Sequence, residues 1–561
     1  MMKKIKKIKK LRVLKTLKFA GRKESIENSQ KNEEKPIFIM NNLREDLILL
    51  SFERIECFCF YGNIRIMVLS GNVEILGYEI EPNSEFSLEI SSFQDELPLE
   101  IIARPPNSNK KTLLPKEIEG FSLDFLNNSH CNVLIKTINL ENFMILEKNK
   151  IGISFIENNH KEISNKIIRK LNEFPNDYNI RKILLFGDKS SGKALSSYYL
   201  LNSLLKTNKK AGFLELDLNN PIELPGTITY YSIKEAILSN KPDFHRVSLE
   251  KQRRFIGERL CNRNIELFYR SIEDLLEKIR GDNSILVIRT QGYLKGLGEL
   301  ILLDVIRLVK PFFMISCGEN ACFQALQEKN ERKMSLLTEK KGGLLENYET
   351  FMIDKPKFDK NIKKIKKDMK IYEYFKDSKL KEEKLRDFLA MPDIKRPCYL
   401  NLLRFSKTFS LNFAKKKVFL LNEGKLMNLS EVPVINSLEF SIVGLFPLEN
   451  HIISQEIHQR NCLGLGFIKS INTEKQEFEI ILPGELENYL EKIELIVKSP
   501  DFGFSREFFT GFYQESLVYG EVLEDFQGKN EEVMPFVSES FNGVIGDKPY
   551  IQRISGKRHN K

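Results

Sequence analysis

The chain contains no tryptophan, only six histidines, and no long uninterrupted apolar run. The last absence excludes a membrane-spanning helix, which needs roughly 18 to 20 predominantly apolar residues. Eight cysteines are present but form no C-x-x-C pair. Cys57 and Cys59 flank one residue in a strand-like run, Cys317 and Cys322 lie close in sequence, and no pair of histidines has ligand spacing. This pattern speaks against a zinc site and for free thiols in a reducing compartment such as cytosol or nucleus. His130, His160, His245, His451 and His458 have no nucleophile paired with them in sequence and read as surface or satisfied core residues. A secretory h-region is also missing, because the stretch from Met1 to Lys23 is dense in lysine and arginine and holds no acid.

What is present is enough to build cores. Hydrophobic residues make up 42% of 561, and at about 150 residues per domain the length suggests roughly three or four domains. The formal net charge of +10 gathers at the ends, between Met1 and Lys23 and in Lys557, Arg558, His559 and Lys561. Basic ends on a near-balanced body suggest polyanion contact and import into the nucleus or nucleolus. Ile5, Ile8, Leu11, Leu14 and Leu17 recur every three residues. A basic amphipathic helix on a membrane, a mitochondrial presequence and a solvated arm therefore stand as rival readings.

The rest of the sequence is organised around Arg181–Leu205. Ile183 to Phe186 is a short apolar run of the kind that forms a buried strand. A glycine-bounded loop follows, Gly187, Asp188, Lys189, Ser190, Ser191 and Gly192, and then Lys193, Ala194 and Leu195 open a helical pattern. Strand, loop and helix form a phosphate cradle. The glycines let consecutive N–H groups point inward, the helix N-terminus adds partial positive charge, and Lys193 reaches the terminal phosphates. The pattern G-x-x-x-x-G-K-[ST] calls for a Mg²⁺-ligating hydroxyl after the lysine, and here that residue is Ala194.

Ala211 to Leu216 reads as a second buried strand ending in Asp217, where a phosphate-transfer enzyme holds a metal or accepts a proton. Ser284 to Arg289 is a third strand, followed by Thr290, Gln291, Gly292 and Tyr293. A helix from Leu300 to Val309 leads to a fourth, Phe312 to Ser316. Strands alternating with helices imply a parallel, helix-covered sheet with ligands beyond the strands' carboxyl ends. Lys193, Asp217 and Thr290 all fall at such ends. Short strand-like runs with glycine punctuation surround this region, at 64–69, 73–76 and 86–90, at 132–146, and again at 440–445, 464–471, 478–482 and 493–497. Residues 355–375 read as a basic amphipathic helix, either a solvated surface helix or a lid. Asn240-Lys241-Pro242-Asp243 matches the guanine-reading N-K-x-D motif, but it follows a helical-looking SIKEAILS and no D-x-x-G switch precedes it, which argues against a GTPase.

Behind GDKSSGK come, in order, ELDLNNPIELPGTI, IRTQGYLKGLG and CLGLGFIKSI. Together with the earlier LSGNVEILGYEI they resemble the polynucleotide 5′-hydroxyl kinases, and the C-terminal segment looks more like the pre-ribosomal RNA branch than the tRNA and mRNA branch. The resemblance implies an α/β fold. A P-loop kinase domain with a parallel sheet (151–395, with its lid) would sit between β-rich domains at 46–150 and 396–540, with a basic arm at 1–45 and a basic tail at 541–561. It also implies transfer of the γ-phosphate of ATP, with Mg²⁺, to the 5′-hydroxyl of an RNA end during rRNA processing, beside an endonuclease partner.

Carried over by motif, Gly187 to Leu195 hold ATP, and Lys193 binds the β/γ-phosphates. Asp217 is the base and a metal ligand. Thr290, Gln291, Gly292, Tyr293 and Lys295 hold the RNA, and Lys363, Lys364, Lys367 and Lys370 stand where family lid arginines sit. The departures are Ala194, Asn219 and Asn220 in place of Gly and Gln, Tyr293 in place of the clasp Trp, and lysine in place of lid arginine, which cannot fork onto phosphate. Two function classes follow: an RNA 5′-hydroxyl kinase, and a catalytically weak P-loop scaffold that holds a nuclease on pre-rRNA.

Overall fold

The computed structural model describes most of residues 39–146, then 159–173, nearly all of 181–324, 349–353, and most of 407–499 with Phe375. Three sheets follow one another along the chain.

The first is antiparallel. Its long strand Glu56–Ser70 pairs with Leu88–Ser92, Leu99–Arg104, Cys131–Thr137 and Met144–Leu146. The runs expected at 64–69 and 73–76 fall on strands here, and that at 132–146 holds two, Cys131–Thr137 and Met144–Leu146. Phe58, Phe60, Ile64, Ile66 and Val68 are buried on one face, and Cys59, Met67 and Leu69 are buried on the other.

The central sheet carries the cradle. Its strands are β1 (Lys182–Phe186), β2 (Ala211–Glu215), β3 (Thr227–Ile233), β4 (Ser248–Phe255), β5 (Ile285–Arg289), β6 (Phe313–Cys317) and β7 (Glu349–Ile353), in spatial order β4-β3-β2-β5-β1-β6-β7. From β2 to β7 every neighbour is parallel. Strands β1, β2, β5 and β6 are buried along nearly their whole length, so they read as continuous apolar runs rather than alternating ones. Helices α2 (Lys193–Lys206), α3 (Ile265–Lys278) and α4 (Leu297–Val309) lie in the connections between its strands, and α1 (Asn159–Glu173) precedes β1. The chain is thus α/β.

Two expectations need correction. The sheet is not wholly parallel, because β3 and β4 extend it antiparallel beyond β2. SIKEAILS is not helical: Ser232 and Ile233 end β3, and the remainder is irregular backbone. Tertiary packing overrides its helical spacing. Ile237 is fully buried, and its backbone N–H donates to Asn202 Oδ1 (2.7 Å) while its carbonyl accepts from Asn202 Nδ2 (2.9 Å).

The expected basic helix at 355–375, with Lys363, Lys364, Lys367 and Lys370, lies outside the described residues except for Phe375. The third sheet is mixed, in the order Thr408–Asn412, Glu477–Ile481, Gly464–Asn472, Ile442–Pro447, Ile493–Lys498, Lys417–Asn422, Lys425–Asn428. It shares a core with the central sheet, where Phe255 at the end of β4 meets Phe446 edge-on at 6.2 Å and packs over Gly444. Beside it, buried Arg253 pairs with Glu223 (2.8 Å) and donates to the Leu463 carbonyl (3.0 Å).

Candidate phosphate cradle and its carboxylate floor

The cradle forms where β1 turns into α2. Gly187 has φ +153°, and a Cβ there would lie 2.5 Å from the Cys317 carbonyl oxygen and 2.6 Å from Ser191 Oγ. Only glycine permits the loop to turn this tightly against the end of β6. Ser190, at φ +59°, and Gly192, at φ +91°, supply the left-handed turns that lead into α2.

Lys193, the first residue of α2, is buried and curls back over the loop, donating from Nζ to the Gly187 and Asp188 carbonyls at 2.8 Å each. Burial lowers its pKa from the ordinary lysine value, while the carboxylates of Asp217 and, more weakly, Glu215 pull it back up. The ammonium and the Asp217 carboxylate, which come from separate segments of the chain, therefore share one electrostatic site.

Hydroxyls that could stand in for the one missing at Ala194 are already committed elsewhere. Ser196 Oγ donates to the Gly192 carbonyl (3.0 Å), and Ser197 Oγ donates to the Lys193 carbonyl (2.8 Å), as helical serines do toward the preceding turn. Ser191 Oγ is buried beneath the loop and has no partner among the described residues.

The floor of the cradle comes from the carboxyl ends of β2 and β5. Glu215 closes β2, Asp217 follows it, and Arg289 closes β5. The Arg289 guanidinium donates to Glu215 Oε2 (2.7 Å), Asp217 Oδ2 (3.2 Å) and the Asn220 carbonyl (2.6 Å). Glu215 Oε1 accepts the Asp217 N–H (2.9 Å), and Asp217 Oδ1 accepts the N–H groups of Asn219 (3.2 Å) and Asn220 (3.0 Å). Burial by itself would lower the Arg289 pKa, but the flanking carboxylates outweigh it and hold the guanidinium more firmly charged than usual.

Sequence reasoning singled out Asp217 but neither Glu215 nor Arg289. An acid at the end of one buried strand and a cation at the end of another were the available signal. Their pairing between distant segments was not.

Thr290 to Tyr293 continue from β5 straight onto the cradle. Thr290 is tied down, with both its N–H and its hydroxyl donating to the Leu185 carbonyl at 3.0 Å. Gly292 lies against the loop, and a Cβ on it would come within 2.8 Å of Lys189 Cα. Gln291 is buried, accepting from the Cys261 thiol (3.0 Å), and lines a mainly apolar cleft with Leu216, Phe268, Tyr293 and Leu294. Tyr293 is 40% exposed, and Leu297 and Leu300 on the first turn of α4 are exposed as well. Lys295 is exposed in the same turn region. The structure thus brings together the cradle 187–195, Asp217 and the clasp 290–293, and the expected lid lysines lie outside what it describes.

The first sheet grips the cradle helix from behind. Tyr199 OH donates to Glu74 (2.9 Å), itself paired with Arg104 (2.7 Å). Asn202 Nδ2 donates to the Leu76 carbonyl (2.9 Å), and the Tyr199 ring lies against Gly77.

Comparison with known proteins points one way. The family model "mRNA cleavage and polyadenylation factor CLP1 P-loop" matches residues 187–376, and "Polynucleotide 5′-hydroxyl-kinase NOL9, N-terminal domain" matches residues 37–185. A protein of Danio rerio named polynucleotide 5′-hydroxyl-kinase NOL9 is 31% identical over 127 residues, which is 22% of this chain and 17% of that protein. Its namesake in Arabidopsis thaliana is 25% identical over 334 residues, covering 56% of this chain and 84% of that protein. A polyribonucleotide 5′-hydroxyl-kinase of Pyrococcus abyssi is 22% identical over 54% of this chain and 83% of its own length. A solved structure of Clp1p with Pcf11p superposes with a TM-score of 0.52 at 15% identity, over 81% of this chain and 99% of that one, a likeness of fold alone. Two adjacent family models in register with the cradle and the sheet before it, and kinase relatives along the same region, make the chain similar to the polynucleotide 5′-hydroxyl kinases.

Proposed function

We propose that the chain transfers the γ-phosphate of ATP to the 5′-hydroxyl of an RNA end in ribosomal RNA processing. The observation that carries this reading is that the clasp rests on the cradle, with Gly292 against Lys189, while the Asp217 carboxylate acts electrostatically on the Lys193 ammonium. Phosphoryl transfer asks the protein mainly for positioning and charge stabilisation. The N–H groups of Gly187 to Leu195 and the N-terminus of α2 would hold the phosphates. Lys193, which now donates to two loop carbonyls, would exchange these for β/γ-phosphate oxygens. Asp217, kept oriented by Arg289 and two backbone N–H groups, would accept the proton of the attacking hydroxyl. Thr290 and Gln291 fix the clasp backbone, while exposed Tyr293 offers a face for a base and Lys295 a charge for phosphate. Lys363, Lys364, Lys367 and Lys370 would close over the triphosphate.

In this reading the protein has three domains, 46–150, 151–395 and 396–540, between a basic arm (1–45) and tail (541–561). It works in the nucleus and nucleolus beside an endonuclease that leaves the 5′-hydroxyl.

A P-loop kinase family implies ATP with a divalent metal. Among the described residues no cluster of three His, Cys, Asp or Glu side chains could hold a metal, so the cradle fits a protein-held ion poorly. Ala194 offers no oxygen, and each of the four oxygens of Glu215 and Asp217 already accepts a hydrogen bond. Mg²⁺ would come and go on the nucleotide's own phosphate oxygens. The same observation favours a second reading, a weak or silent P-loop scaffold that holds a nuclease on pre-rRNA.

One assay separates the two: purified protein, labelled ATP and a 5′-hydroxyl RNA oligonucleotide. Label transfer that disappears in Lys193→Ala supports the kinase. Nuclease binding without any label transfer supports the scaffold.

A further inference from the structure

We infer that Arg289 takes over the electrostatic role of a protein-held metal in this cradle, so that a nucleoside triphosphate binds whether or not a divalent cation is present. The inference rests on the kinase reading only in taking a nucleotide as the ligand, and three observations carry it.

The first is the lack of a hydroxyl at the mouth. The residue after Lys193 is Ala194, Ser196 and Ser197 are spent on helix carbonyls, and Ser191 is turned under the loop toward Gly187. Mg²⁺ demands near-octahedral oxygen ligands and sheds its waters reluctantly, so a cradle without the hydroxyl that follows the lysine has a weaker hold on it. Among the described residues, no cluster of three His, Cys, Asp or Glu side chains could hold a metal.

The second is what occupies the carboxylates. Arg289 bridges Glu215 Oε2 and Asp217 Oδ2 from the end of β5, and its side chain is almost completely buried. These two acids at the strand ends would otherwise face the phosphates and need a cation between them and the nucleotide. The guanidinium supplies one permanently, since arginine does not lose its proton in proteins.

The third is the charge balance. Lys193 and Arg289 together offset Glu215 and Asp217, so an incoming triphosphate meets a neutral floor and inward-pointing N–H groups. Without Arg289 two carboxylates would stand against one ammonium. The floor would then repel phosphate, and binding would need metal to restore the balance. Arg289 is therefore a positioning residue: it acts on the nucleotide through Glu215 and Asp217.

The test is direct binding of ATP to the full chain by calorimetry, in excess Mg²⁺ and again in EDTA. The expected dissociation constants for the unmodified protein differ by less than about threefold. Arg289→Asn should weaken binding in EDTA at least ~10-fold and regain it on adding Mg²⁺, while Arg289→Lys, which keeps the charge, should remain indifferent to metal. A merely structural role for Arg289 would weaken binding equally in both buffers, and that result overturns the inference. So does a loss of ~10-fold or more in EDTA by the unmodified protein, a result that leaves the kinase reading intact if end-labelling succeeds. Absence of ATP binding in both buffers defeats both readings. If Arg289→Asn does not fold, the unmodified protein and Arg289→Lys still decide.

Discussion

Asn202 is a fully buried amide at the point where the cradle helix, the first sheet and the irregular SIKEAILS segment meet. It makes three hydrogen bonds, donating to the Leu76 and Ile237 carbonyls (2.9 Å each) and accepting from the Ile237 N–H (2.7 Å). Asn202→Ala would leave one buried donor and two buried acceptors of the backbone without their partner. At about 1 kcal/mol net per neutral hydrogen bond, the expected loss is about 3 kcal/mol, with a smaller addition from the cavity. Asn202→Leu, which restores volume but no polarity, should recover only that smaller addition.

Because the chain has no tryptophan, global unfolding is best followed by far-UV circular dichroism. A chain of this size need not unfold in one step, so the local measurement matters more. Native-state hydrogen exchange at the Ile237 amide should lose about 100-fold protection, the equivalent of the expected loss, while amides of the third sheet stay unchanged. A drop of less than about fivefold at Ile237, or an equal drop everywhere, would refute the view that Asn202 is the local anchor of this segment.

Two further outcomes follow from the geometry. Gly292→Ala places a methyl group 2.8 Å from Lys189 Cα, so either the clasp or the loop must move. ATP affinity measured by calorimetry should fall by ~10-fold or more, with far-UV circular dichroism unchanged, because a backbone contact cannot relax as a flexible side chain can. His160 packs beside the Tyr199 ring at 5.2 Å, and burial lowers its pKa to about 4. A histidine held neutral in the fold but protonated when unfolded costs stability as pH falls from about 6.5 to about 4, by at most about 3 kcal/mol, and no further below that window. Urea titrations between pH 7 and pH 4 should show this loss in the native protein and a flatter profile in His160→Gln.

The local elements of the cradle were legible because each is written in contiguous residues. Ile183 to Phe186 is too apolar for anything but a buried strand, Gly187 and Gly192 mark the loop, and the helix pattern begins at Lys193. Asp217 and Thr290 were legible for the same reason, as polar residues at the ends of apolar runs. The edge of the sheet was harder. TITYYSI has the β-branched and aromatic content of a strand, yet Ile233 and Ile237 fall one helical turn apart, and only the burial of Ile237 against Asn202 settles the segment as irregular backbone. In the third sheet, Thr408–Asn412 and Lys425–Asn428 are short and rich in polar residues, and pairing, of the first with distant Glu477–Ile481 and of the second with Lys417–Asn422, rather than their own pattern makes them strands.

The sequence by itself determined that a strand, a glycine-bounded loop and a helix would make a phosphate cradle, and that the acid and the clasp would stand at the carboxyl ends of buried strands. Those features depend on local backbone preference and on apolar periodicity, both carried by adjacent residues. Only the tertiary structure decided what charge the nucleotide meets. Arg289 and its two carboxylates come from segments far apart in the chain, and they form one ionic unit because β2 and β5 are hydrogen-bonded neighbours in register. Strand order is a property of the assembled sheet, so no stretch of sequence read alone contains it.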